Sequence, residues 1–341
     1  MTKKRAGLLL VCFSLLVFLS ACGTGGNGNK GDAEFVVATV NGVEIKQSFI
    51  DKTFGTWLFM KRQSGELASD GKQKDEDRKV EELFHYGRRE SAIIKTNILD
   101  LKIKGILIEE YYKKKQKSIS EEELNQKYEE MMKLMGEKMP NVLDFYKENE
   151  IEEDFIKDGI KTNYYLGMFS EDLDAAYRES YELDPAAYKN TKLTVNPRII
   201  LLDDRETADK VYAKLQEGTK FEELVAEYSL DESSKVRDGE VGTVRLDELP
   251  VEFSIHLKEL KRGEISKPFK TVFGYNIVKL IDYKTVEDML QDKDLTDSEE
   301  AATKTQVYNQ NFQIKLYEET NRLLEEAKVE IFKDFYKEDS K

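Results

Sequence analysis

TVNPRIILL, residues 194–202, and KPFKTVFGYNIVKLIDY, residues 267–283, decide how this chain folds. The first is an apolar run long enough for a buried strand. The second is two alternating runs broken at Gly274, and together they predict the first and last strands of one small sheet. Between them ETADKVYAKLQEG and FEELVAEYS place Ala208, Val211, Leu215 and then Phe221, Leu224, Val225 and Tyr228 at helical spacing, with the first helix ending at Gly218. A polar turn, DESSKVRDGE, leads to a short strand VGTVRL, and VEFSIHLKEL is a third helix launched from Pro250.

The order and the phrases FEELVAEYS, D-G-E-V-G, L-P-V-E-F, R-G-E-I-S-K-P and F-G-Y-N-I-V-K resemble a parvulin-type peptidyl-prolyl isomerase domain. Several ordered matches are far more specific than one short motif. EFVVATVNGVEIKQSFIDKTF, residues 34–54, carries an Asn41-Gly42 hairpin signal between apolar alternations. It resembles the start of the SurA and PrsA family of extracytoplasmic chaperones. The expected fold class is therefore α+β: a mostly helical chaperone domain, made of N- and C-terminal segments, interrupted by a parvulin-like βαααβαββ domain with a four-stranded sheet and surrounding helices.

The expected division is a signal peptide at 1–21 and a lipidated tether at 22–33. The first part of the helical domain spans 34–190, the parvulin-like domain 191–285, and a C-terminal helix at 286–341 completes the helical domain. Lys3, Lys4 and Arg5 stand ahead of an apolar run from Leu8 to Leu19, too short to cross a bilayer. Leu19-Ser20-Ala21-Cys22 looks like a lipobox, with Cys22 lipidated; a plain secretion signal is the competing reading. Cys12 leaves with the leader, so the mature chain has no thiol pair for a disulfide. GTGGNGNKGD, residues 23–32, reads as a flexible tether. The expected location is the outer face of a plasma membrane of Gram-positive type.

Helical spacing at Leu83, Ile93, Ile94, Leu99, Leu101, Ile106 and Leu107 predicts a helix ending near Lys115. Ser120-Glu-Glu-Glu caps a further helix to about Met135. Met131, Met132, Leu134, Met135 and Met139 form a cluster that suits either a pliable apolar surface or core filling. After Lys284 the chain is polar to about Glu300, then helical from Thr303 to Ala327, with AKVEIFKDFY as a last strand and turn. The chain carries 53 Lys+Arg against 67 Asp+Glu, net -14, and becomes three charges more negative without Lys3, Lys4 and Arg5. That balance argues against nucleic acid as a partner. His85 and His256 are the only histidines, which argues against a zinc site.

The resemblance implies an apolar pocket for a proline ring, with a small polar network around the rotating amide and no cofactor or metal. Leu249 stands where the family commonly has Met, Phe253 matches its aromatic, and Val244 and Val241 are apolar neighbours. The competing reading makes these residues plain core. The family's strand histidines fall at Arg198 and Asn276, Asp231 takes the loop position of the family's Asp or Cys, and Glu240 replaces its usual Asp. A buried Arg198 needs an acidic partner, with Asp231 and Glu240 the candidates. His256 lies outside the motif positions and reads as a surface or half-buried helix residue.

Since Arg198 stays charged and Asn276 does not titrate, the expected function is an anchored foldase with weak or lost isomerase activity. Its partners are unfolded or newly exported polypeptides and, through Cys22, the membrane, with homodimerisation left open. An active prolyl isomerase is the alternative. A solute-binding lipoprotein is the remote one, because it needs strand-helix alternation across two lobes.

Overall fold

The computed structural model describes residues 35–63, 88–180, 184–271, 273–292 and 296–332. The leader, Cys22, the tether, the polar stretch through residue 79, Leu83 and His85 lie outside the described residues. No described helix is long and apolar enough to cross a membrane. The chain divides into two compact units, one of Met1–Leu173 with Thr320–Lys341 and the other Asp174–Glu319.

The first unit opens on β1 (Val36–Val40) and β2 (Val43–Lys46). Asn41 and Gly42 join them at φ 50° and 88°, the left-handed pair that a two-residue hairpin requires. β7 (Val329–Ile331) pairs antiparallel with β1 and completes a sheet ordered β2-β1-β7. The helices of this unit are α1 (Gln47–Gln63), α2 (Arg88–Lys114), α3 (Glu121–Lys138), α4 (Pro140–Glu148) and most of α5 (Glu153–Ser180). Ser120 caps α3 by accepting the Glu123 amide, as the sequence motif predicts.

Met60, Leu124, Met135, Val142, Tyr146, Ile151, Ile156 and Ile160 form one core, with Met131, Met132 and Met139 packed against it. The methionines thus serve the packing reading. Thioethers fill the irregular gaps between α3 and α4.

In the second unit, β3 (Lys192–Leu202) and β6 (Gly274–Thr285) run antiparallel, from Lys192 opposite Thr285 to Leu202 opposite Tyr275. β4 (Val244–Arg245) and β5 (Phe269–Thr271) flank them, in the order β4-β3-β6-β5. This is the expected four-stranded sheet. One face is covered by α7 (Arg205–Gln216) and α8 (Phe221–Tyr228), whose Ala208, Val211, Leu215, Phe221, Leu224 and Val225 pack on Ile200, Leu202 and Ile277. The other carries α10 (Val251–Glu259), whose Phe253 and Leu257 pack on Val195, Val278, Leu280 and Phe269. A four-residue helix, α9 (Glu232–Lys235), lies between α8 and β4.

The VGTVRL strand is shorter than the sequence suggests. Its paired residues are Val244 and Arg245, while the Val241 amide donates to the Pro197 carbonyl from the preceding loop. α6 (Pro185–Asn190), α11 (Val286–Asp292) and the first part of α12 (Asp297–Glu325) belong to this unit as well. Tyr188, Leu193, Val286 and Val307 form a separate small core there. The last helix starts at Asp297, not Thr303. Thr296 and Glu299 exchange side-chain-to-backbone bonds, a capping box that the polar composition of the stretch conceals.

Candidate functional site

The α10 face of the four-stranded sheet assembles the apolar site. Phe253 and Phe269 are buried there, and Ile199, Val244 and Leu249 are half-buried around them. The two phenyl rings meet edge to face at 5.2 Å and 87°, a favourable aromatic arrangement. Leu249, Phe253 and Val244, all singled out from the sequence, come together. They also line the sheet's own core on that side, so pocket wall and core are the same residues.

Arg198 and Asn276 do not come together. Side chains alternate across a strand, and the register sets Leu201 opposite Asn276, Ile199 opposite Val278 and Arg198 opposite Lys279. Asn276 therefore shares the Val278 and Leu280 face with the aromatic site. Arg198 points to the other face, where its Nη1 lies 2.6 Å from Glu222 Oε1 on α8. The acidic partner of Arg198 is Glu222, not Asp231 or Glu240 as expected. Glu240 meets Arg198 through a backbone bridge. Lys279 reaches the same Glu222 oxygen at 3.5 Å, and the buried Arg198 Nε has no hydrogen-bond partner among the described residues. Beside Arg198 on β3, it is Ile199 that faces the aromatic site.

Asn276 is buried at 2% exposure. Its Nδ2 donates to Thr271 Oγ1 at 2.9 Å, and the same hydroxyl oxygen accepts the Phe273 amide. The amide thus braces the turn between β5 and β6. Asp231 caps α9 in a different way: its carboxylate accepts the Ser233 hydroxyl at 2.7 Å and the Ser234 hydroxyl. Its oxygens are engaged in shaping the loop. Gly239 then lets that loop touch β3, with φ 83° and its carbonyl accepting the Ile199 amide at 2.9 Å.

His256 is half-buried, in keeping with its expected placement, and stacks on Phe269 at 4.1 Å and 28°. Burial holds its pKa below the ordinary 6.5. Sequence reasoning missed Ile199, Phe269, Glu222 and Lys192. The phenylalanine was within reach, since K-P-F-K opens the last pair of strands. The other three depend on strand register and on which helix covers which face. Lys192, buried at the start of β3, donates from Nζ to the carbonyls of Leu257 and Lys258 at 2.9 and 2.8 Å and to that of Leu260, closing the C-terminus of α10.

Residues 203–282 match the family model of the rotamases described as the PPIC-type PPIase domain. The foldase protein PrsA of Caldanaerobacter subterraneus is 25% identical over 280 residues, 81% of this chain and 82% of that protein. The foldase protein PrsA of a Geobacillus species is 25% identical over 328 residues, 96% of each chain. A solved peptidylprolyl isomerase (PrsA) from Bacillus anthracis is 24% identical, covering 64% of this chain and 94% of that one, with a TM-score of 0.33. The chain thus carries a PPIC-type PPIase domain at its centre, and its sequence similarity to foldase proteins PrsA runs almost end to end.

Proposed function

We propose that this chain is an anchored extracytoplasmic foldase that binds newly exported polypeptides and isomerises X-Pro bonds slowly or not at all. The observation that carries this is the contrast at the α10 face. The apolar wall of Val244, Leu249, Phe253 and Phe269 is complete, and the polar groups expected beside it are elsewhere or engaged. Rotation about an X-Pro bond must overcome ~18–20 kcal/mol, and acceleration requires polar groups placed where the twisting amide needs them. Ile199 offers none. Of the two strand positions, Asn276 is the one on the correct face, and it is committed to Thr271.

The anchor rests on the lipobox-like Leu19-Ser20-Ala21-Cys22 after a basic, apolar leader. We place the mature chain on the outer face of the plasma membrane through a lipid on Cys22. The helical domain is read as one body made of both chain ends, and the pairing of β7 with β1 supports that reading. A solute-binding lipoprotein gains nothing from two small antiparallel sheets.

The test is cis-to-trans relaxation of a short X-Pro peptide with the purified mature chain, beside suppression of aggregation of an unfolded client. The expected result is aggregation suppression with little acceleration. Acceleration that disappears in Phe253→Ala and Leu249→Ala establishes the second reading, an active isomerase, which the buried Asn276 amide beside Phe269 favours. For the anchor, radiolabelled palmitate should enter the wild-type chain and not Cys22→Ser, and the variant should appear in the medium.

A further inference from the structure

α12 lies outside the matched span 203–282, yet one of its side chains reaches the lip of the apolar site. Val307 is buried at 1% and packs with Tyr188, Leu193 and Val286, which fixes this part of the helix. One residue earlier, Gln306 Nε2 donates to Asp247 Oδ1 at 3.0 Å. Asp247 sits in the tight turn Leu246–Glu248 that leads directly to Leu249 and, through Pro250, to α10.

Its carboxylate also accepts two parallel bonds from Arg245, Nε to Oδ1 at 3.1 Å and Nη2 to Oδ2 at 2.7 Å. A bidentate arginine fixes the plane of a carboxylate. The Gln306 bond then fixes the turn against α12. The remaining anchor is internal: Ser254 Oγ donates to the buried Leu246 carbonyl at 2.8 Å. Of these three partners, Gln306 alone comes from outside the isomerase-like span.

We propose that Gln306 is a positioning residue for the peptide site. Acting through Asp247, it sets where Leu249 and the start of α10 stand, so that the C-terminal helix takes part in binding an extended X-Pro segment. This rests on reading the α10 face as a peptide site. Gln306 supplies a neutral donor to an anion, so the chemistry predicts an order of variants. A lysine at the position keeps a donor and adds attraction, an alanine removes the bond, and a glutamate sets like charges against each other.

The experiment uses the full mature chain with Gln306→Lys, Gln306→Ala and Gln306→Glu. Amide hydrogen exchange of residues 246–253 reports the position of the turn, and KM, kcat or, where turnover is too slow, the Kd of a fluorescent X-Pro peptide reports binding. Exchange should rise by about threefold or more in the alanine and glutamate variants and stay near wild type in the lysine variant. KM or Kd should weaken in the same order, by about two- to fivefold, with kcat little changed. Equal exchange in all three variants overturns the proposal, whatever the peptide does. If exchange follows the order while peptide affinity is indifferent to Phe253→Ala, the peptide-site reading falls, and Gln306 is a structural strut only.

Discussion

Asn41 holds Lys328 twice: its backbone amide donates to the Lys328 carbonyl at 2.9 Å, and its side-chain Oδ1 accepts the Lys328 amide at 2.8 Å. The same side chain donates from Nδ2 to Glu110 Oε2 at 2.7 Å. One turn residue of the first hairpin therefore fastens the returning C-terminal strand and the long helix α2. Asparagine suits the position because it tolerates φ 50° and brings both a donor and an acceptor.

Asn41→Ala should lose both side-chain bonds and strain the turn, at a cost of about 1–3 kcal/mol. Asn41→Gly keeps the backbone freedom and should cost less. Urea unfolding followed by tryptophan emission of Trp57, which is buried in the same unit, reads both variants. Coincident midpoints for wild type and Asn41→Ala would show that the clasp contributes nothing.

The contact between loop and strand at Gly239 leads to a sharper expectation. A Cβ there would lie 2.7 Å from the Ile199 carbonyl oxygen and 2.9 Å from Val225 Cγ2, at a φ of 83°. Backbone cannot yield as the tip of a side chain can, and a left-handed alanine is itself unfavourable. Gly239→Ala should destabilise the second unit by about 2–4 kcal/mol. Gly242→Ala, where φ is 92° but none of the described residues comes within 4 Å, should cost only the backbone strain. The two thermal midpoints, measured side by side, separate crowding from conformation.

The carboxylate of Glu222 gives the fold a pH dependence of known sign. Burial works to raise its pKa, but its own backbone amide and the charges of Lys279 and Arg198 outweigh that, and the net effect is a pKa below the ordinary 4.5. A depressed acid stabilises the folded state above the unfolded value, and this contribution is lost as pH falls through the folded value. Wild type should therefore lose stability below about pH 4.5 more steeply than Glu222→Gln. The variant should start lower at pH 7, because it leaves Arg198 and Lys279 without their anion. Urea midpoints between pH 3.5 and 7 decide it; parallel curves would remove Glu222 from the acid response.

That cluster also shows how far a single sequence could be read. The strands, the helices over them and the Asn41-Gly42 turn followed from apolar spacing and turn chemistry, which are local. Arg198 and Asn276 are each local matches too, but whether they meet depends on register. Leu201 opposite Asn276 is a fact about pairing across 75 residues of chain, and one residue of displacement sends a side chain to the other face. The same reasoning covers Glu222. FEELVAEYS is plainly an amphipathic helix, yet nothing in its spacing says that its second residue will find Arg198. Lys328 as the partner of Asn41 is beyond local reading altogether.

Lys192 offers the strictest test of how the aromatic site is held. Its side chain runs inward from the start of β3, its residue is 8% exposed, and its ammonium lies 4.6 Å over the Tyr283 ring. The carbonyls of Leu257, Lys258 and Leu260 that it satisfies are among those a helix leaves unpaired at its C-terminus. Methionine has similar length and removes every donor. Lys192→Met should leave those carbonyls buried without partners and destabilise the second unit by about 2–4 kcal/mol. Because α10 also carries Phe253 and His256, the loss should loosen the aromatic site before the whole unit unfolds. Exchange of the 253–260 amides should then rise at urea concentrations that leave the α7 amides protected. Uniform acceleration across both helices would mean that Lys192 supports the unit as a whole and has no special hold on the site.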